Sequence, residues 1–221
     1  MAKAKKNTAK KLGKVGKPPA EKFIEGRKLF FVPLIFAPIK PEPDLMKLIN
    51  KYWKQAREQV KNLEDKLTGV KKVYHELITS AGDEGIKAIE QLNAGSYPIV
   101  KNSLDKGAEL QPIEDGELLI EFMDWSRFLA IGPQSKKTFT QVYESYLEVQ
   151  KKRNEQIASR IDETLKDNEI GLLLMREGHQ IQFPSDIQVF YIAPPSLDEI
   201  QRWSQKSETK DEKEEKRESK S

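Results

Sequence analysis

The sequence predicts an α/β domain, a mostly parallel sheet covered by helices, with long amphipathic helices and disordered charged tails. Three observations carry this. Short continuous apolar runs suit strands buried on both faces, helix-periodic stretches separate them, and charge is concentrated at the chain ends. The reading divides the 221 residues into a lysine-rich tail at 1–22, one domain at 23–203 and a mixed-charge tail at 204–221.

The first run is Lys28 to Phe36, KLFFVPLIF, where Pro33 removes a ladder donor and so implies an edge, a bulge or a split. From Asp44, expected as an N-cap, Leu45, Leu48, Ile49, Tyr52, Trp53, Ala56 and Val60 recur at helical spacing, and Gly69 closes the stretch. Val70 to Ile78 (VKKVYHELI) reads as the second strand. Helices through Ile86 to Leu92 and Ile99 to Asp105 follow, and Gly107 to Pro112 is short enough for a third strand. Glu114 to Ile131 and Ser135 to Leu165 are helical by spacing, separated by Gly132-Pro133. Gly171 to Met175 (GLLLM) suits a central strand, Gln180 to Phe183 alternates like a short one, and Asp186 to Ala193 (DIQVFYIA) is expected beside GLLLM. Ser196, with Glu199 at the capping-box position, opens the last helix.

Composition excludes several chemistries. With no cysteine there is no disulfide scaffold, thiolate metal site or thiol nucleophile. No apolar run reaches the roughly 20 residues of a membrane span, and no apolar signal core follows the basic start, so a cytoplasmic location is expected. Met1 to Ala20 carries seven Lys and no acid, while Ser204 to Ser221 balances six bases against six acids. The net +3 therefore leaves −4 for the middle. The lysine arm could hold nucleic acid through counterion release or act as a solvated tail. It has no Arg or aromatic residue for base readout or stacking.

Reactive groups must then come from His, carboxylates, Ser, Tyr or Lys. In open parallel sheets, strand C-terminal ends line the ligand crevice. His75-Glu76, Glu114-Asp115 and Glu177-Gly178-His179 all fall at such ends. Imidazole and carboxylate could bind Zn or Mn, which assigns His179, Glu76 and His75 as metal ligands. Neighbours in a strand point to opposite faces, so His75 and Glu76 share a site only if the strand ends between them. Arg153-Asn154 lies within the long helix and matters if it faces the sheet. No phosphate loop, GxSxG elbow or HExxH helix is present.

The order of KVYHE, GAELQPIED, Arg153-Asn154-Glu155 and Gly178-His179 resembles the superfamily of TraB-type, haem-binding ChaN-type and erythromycin-esterase-like proteins, over about Leu29 to Ile192. The resemblance implies a strand-end pocket and metal-dependent hydrolysis. Glu76 and His179 would bind a metal or activate water, and Arg153 would steady an anionic substrate group. Asn154, Glu114 and Asp115 would complete the contacts. The family's first Gly-His motif is missing: Ala37-Pro38-Ile39 follows the first strand. The expectation is therefore a hydrolase or a degenerate relative acting on a small molecule or peptide. The alternative is a non-enzymatic binding or assembly protein, a homo-oligomer included, using its helices for partners and its basic tail for nucleic acid.

Overall fold

Apolar and β-branched residues in short runs form five strands: β1 Arg27–Pro33, β2 Lys72–His75, β3 Glu109–Gln111, β4 Ile170–Met175 and β5 Ile187–Tyr191. Among the described residues six helices accompany them: α1 Pro43–Glu64, α2 Gly82–Leu92, α3 Tyr97–Asp105, α4 Gly116–Ile131, α5 Lys136–Thr164 and α6 Pro195–Glu218. The computed structural model describes residues 25–218. The lysine-rich arm lies outside them. All strand pairs are parallel, in the order β3-β2-β4-β1-β5.

Strand alternation splits the core into two layers. Phe30, Val32, Val73, Leu172 and Leu174 face α1, α2, α3 and α6 on one side. Leu29, Phe31, Tyr74, Leu173 and Met175 face Ile157, Ile161 and Leu165 of α5 on the other. Only the C-terminal half of α5 covers the sheet, because the strands end before its first half is reached.

Several elements differ from the expectations. Pro33 neither splits β1 nor places it at an edge: it is the last residue of a strand flanked by β4 and β5. α1 starts two residues earlier than expected, with Glu42 rather than Asp44 at the cap position and Pro43 in its first turn. Gln180 to Phe183 forms no strand. Instead, residues 176–186 cross the second face as an extended strap, with Ile181 and Phe183 against the α5 side of the core. β5 is not the neighbour of β4, since β1 lies between them. Ser196 is buried inside the first turn of α6 and donates to Gln55 Oε1 (2.7 Å), while Glu199 pairs with Lys51 (2.7 Å). The α6 backbone continues helically to Glu218, past the Trp203 boundary read from composition. Among the described residues, no helix is long and apolar enough to cross a membrane.

Candidate functional site

In an all-parallel sheet every strand exit lies at one edge. β2 and β4 are neighbours whose onward connections leave to opposite faces, β2 toward α2 and β4 into the strap, so a crevice opens between their ends. Glu76 follows β2, Glu114 follows β3 and Arg176 follows β4. Arg153 reaches the same point from α5, at the level where that helix passes the strand ends.

These four side chains form one cluster. Arg153 donates to Glu114 through Nε (2.8 Å) and Nη2, and to Glu76 Oε1 through Nη2 (3.1 Å). Arg176 donates to Glu76 from its backbone N–H (2.8 Å), from Nε (3.1 Å to each oxygen) and from Nη2 (2.9 Å). Glu76, Glu114 and Arg153 are buried, while Arg176 is half exposed. The Phe122 ring covers the Arg153 guanidinium at 4.7 Å, adding a cation–π contact. Burial works to raise the Glu76 carboxyl, but the hydrogen bonds and charge of Arg176, joined by Arg153, hold it below the usual carboxylate range. Burial likewise opposes the Arg153 charge, and Glu114 and then Glu76 more than offset it.

The backbone beneath the cluster is strained where it meets Glu114. Leu77 adopts a left-handed conformation (φ 69°), uncommon for a side chain of this size, and its N–H donates to Glu114 Oε1 at 3.0 Å. The carboxylate thus fixes both a guanidinium and a turn. Gly178 supplies the positive φ (82°) that turns the chain out of β4 toward His179.

Glu76, Arg153 and Arg176 form the floor of a cavity of about 220 Å³, walled by Phe122, Tyr146, Gln150, Asn154, Glu177 and His179. A larger groove of about 830 Å³ continues from Asn154 along α5, between Glu155, Ala158 and the strap residues Gln180 to Gln182. The His179 ring lies 4.9 Å from the Phe31 ring, tilted by 44° to it, and its Nδ1 accepts from the Ile181 N–H at 3.3 Å. Burial lowers its pKa against the opposing charge of Glu76, so the ring is neutral at pH 7 with its proton on Nε2. Tyr146 accepts from Gln150 (3.3 Å), which leaves its hydroxyl proton free. His179 Nε2–H and the Tyr146 hydroxyl thus offer donors to the cavity, beside the amides of Gln150 and Asn154 and the Glu177 carboxylate.

Of the residues expected at the site, Glu76, Glu114, Arg153, Asn154 and His179 converge. His75 does not. Alternation sends it to the opposite face, where Nδ1–H donates to the Glu76 carbonyl (2.7 Å) and Nε2 sits 3.1 Å from Ser96 Oγ. It is a satisfied core histidine and cannot share an ion with Glu76. Asp115 is likewise redirected: its carboxylate caps α4 by accepting from the Leu118 N–H at 2.9 Å. Arg153, expected to meet substrate, is consumed by the two carboxylates. Among the described residues, no group of three or more His, Asp or Glu side chains is placed to hold a metal ion. Arg176, Tyr146, Gln150 and Phe122 were not anticipated. Arg176 directly follows GLLLM, so the strand-end rule itself pointed at it.

The buried His75 makes stability pH-dependent. Desolvation pushes its pKa from 6.5 down to about 4, so the unfolded chain takes up a proton that the fold refuses. Its contribution is complete above about pH 6.5 and is lost as pH falls toward 4, on the order of 3 kcal/mol in total. The Glu76 contribution, also lost on acidification, begins only in the carboxylate range below. Urea midpoints measured from pH 7 to 4.5 should fall for the native chain and fall much less for His75→Gln. Equal slopes in the two proteins would remove His75 as the titrating group.

No family model matches this chain, and neither the curated proteins nor the solved structures contain a match to it.

Proposed function

We propose that the strand-end cavity is a binding pocket for a small ligand bearing a carboxylate or phosphate group, in a TraB/erythromycin-esterase-like domain that has kept the scaffold and lost hydrolysis. The observation that carries this reading is the saturation of Glu76. Both of its oxygens accept hydrogen bonds from arginine, and Glu114 is committed to Arg153 and Leu77. Neither carboxylate is left to bind a metal or take a proton from water. The imidazole of His179 offers an N–H to the cavity, because its acceptor nitrogen is engaged by Ile181. It suits a hydrogen-bond donor better than a general base.

Arg176 is the charged contact. Its Nε and Nη2 are held by Glu76, which orients the guanidinium, and Nη1 has no hydrogen-bond partner among the described residues. Nη1, His179 Nε2–H and the Tyr146 hydroxyl together offer donors to a ligand rich in acceptors.

The test is a thermal-shift and calorimetric titration of the full chain with inorganic phosphate and citrate, beside Zn²⁺ and Mn²⁺. Anion binding should raise the melting temperature, and Arg176→Gln should weaken it roughly 10–100-fold, as expected for a lost hydrogen bond to a charged group. Stoichiometric Zn²⁺ or Mn²⁺ binding that disappears in His179→Ala, or metal-dependent hydrolysis of an aryl ester, would overturn the reading.

A further inference from the structure

The α4–α5 hairpin carries an apolar surface that its own fold leaves uncovered. α4 is apolar on nearly every side. Leu119 and Phe122 are buried, whereas Ile120, Met123, Phe128 and Ile131 remain 39–78% exposed. Its substantial packing among the described residues is against α5. A helix that is apolar all round is normally enclosed.

α5 adds a second stripe. Ile161, Ile157, Arg153, Gln150, Tyr146, Tyr143 and Phe139 follow one another at spacings of three and four, so they share one side of the helix. The first two pack on the sheet, the next three line the strand-end cavity, and Tyr143 and Phe139 run on beyond it. With Leu147 they are 41–45% exposed, and the Phe139 and Tyr143 rings stack at 6.1 Å.

We propose that this hairpin is a homodimer interface, covered by the same hairpin of a second copy to give a four-helix bundle. Area argues for it. Three aromatic rings, each worth roughly 150–250 Å² when buried, and four large aliphatic side chains, all at about half exposure, offer on the order of 700 Å² per copy. That approaches the roughly 800 Å² per partner of a stable interface and exceeds the few hundred Å² of apolar patch that monomers usually expose. A two-fold axis pairs the patch with itself, so no second surface is needed.

Charge argues against a lipid occupant. Gly116 to Gln150 holds five acids (Glu117, Glu121, Asp124, Glu144, Glu148) against three bases (Arg127, Lys136, Lys137), net −2, which anionic headgroups repel. The apolar positions also extend back to Ile120 on α4 and Leu147 on α5, each about three turns from the tip by helix geometry. An interfacial helix tip sinks only about 5–10 Å.

Sedimentation equilibrium on the full chain tests this. A dimer at micromolar concentration is expected, and Ile131→Glu with Phe139→Glu should weaken it at least 100-fold with an unchanged far-UV spectrum, both side chains being exposed. The chain has no cysteine, so any disulfide must join two copies. Tyr143→Cys should cross-link on oxidation, and Lys87→Cys, exposed on α2, should not. A native chain that stays monomeric at several hundred micromolar overturns the proposal, as does flotation of monomer with phosphatidylserine vesicles. A dimer that persists in the double glutamate variant places the interface elsewhere and overturns it too.

Discussion

Replacing Arg153 with alanine is expected to destabilise the domain by about 3–5 kcal/mol, because two carboxylates would lose the guanidinium that compensates them. Glu114 would be left buried against Leu77 with no cation in contact, and Glu76 would keep only Arg176. Arg153→Lys should not restore the loss. A single ammonium cannot reproduce the fork that spans Glu114 and Glu76 at once, nor lie flat on Phe122. The informative comparison is Arg153→Met combined with Glu114→Gln. Removing both charges together should cost clearly less than Arg153→Ala alone, since most of the penalty belongs to the charge left behind. Urea unfolding at pH 7 reads both. A loss below 1 kcal/mol for Arg153→Ala would mean that water already solvates the cluster.

The second large effect is expected at Leu173. This side chain is fully buried in β4, between Phe31 of β1 and Tyr74 of β2, and points into the layer closed by α5. Leu173→Asp combines the cavity of a deleted leucine, about 2–5 kcal/mol, with an unpaired buried carboxylate worth several more. Their sum is comparable to the whole stability of a typical domain, so no folded protein should be recovered and the near-UV signal of the aromatic core should vanish. His179→Ala, at the strand exit, should cost no more than about 1–2 kcal/mol. If His179 proves the more damaging loss, its ring on Phe31 is structural and the pocket is left with Arg176 and Tyr146 as its donors.

Much of this architecture was legible because burial writes itself into residue order. KLFFVPLIF and GLLLM could be read as strands buried on both faces, and the three- and four-residue spacings marked the helices. The strand-end rule placed Glu76, Glu114 and His179 at one edge, and the resemblance drew attention to Arg153-Asn154. What could not be read was pairing. Sequence contains no statement that Arg153 would spend its donors on Glu114 and Glu76, since that depends on where α5 crosses the sheet edge. His75 illustrates the same limit: its neighbour Glu76 is one residue away in the chain and on the other side of the sheet. The position of β5 was missed because adjacency in sequence suggested adjacency in space, while the strap carries the chain across β1 without a helix to announce it.

The pairing of β1 bears on how the chain leaves the ribosome. Its two partners, β4 and β5, begin about 140 and 160 residues later, so the first strand of this sheet in chain order is among the last to be satisfied. Until then an unbroken apolar segment is exposed, a ready template for aggregation during translation. Arg27 and Lys28 stand at its start, and in the fold both are buried, Arg27 clamped by Asp186 (2.7 Å) and Asp162 (2.7 Å). Charges flanking an apolar strand are the kind of residue that limits its aggregation before its partners exist, and Arg27 and Lys28 occupy that place at the head of β1.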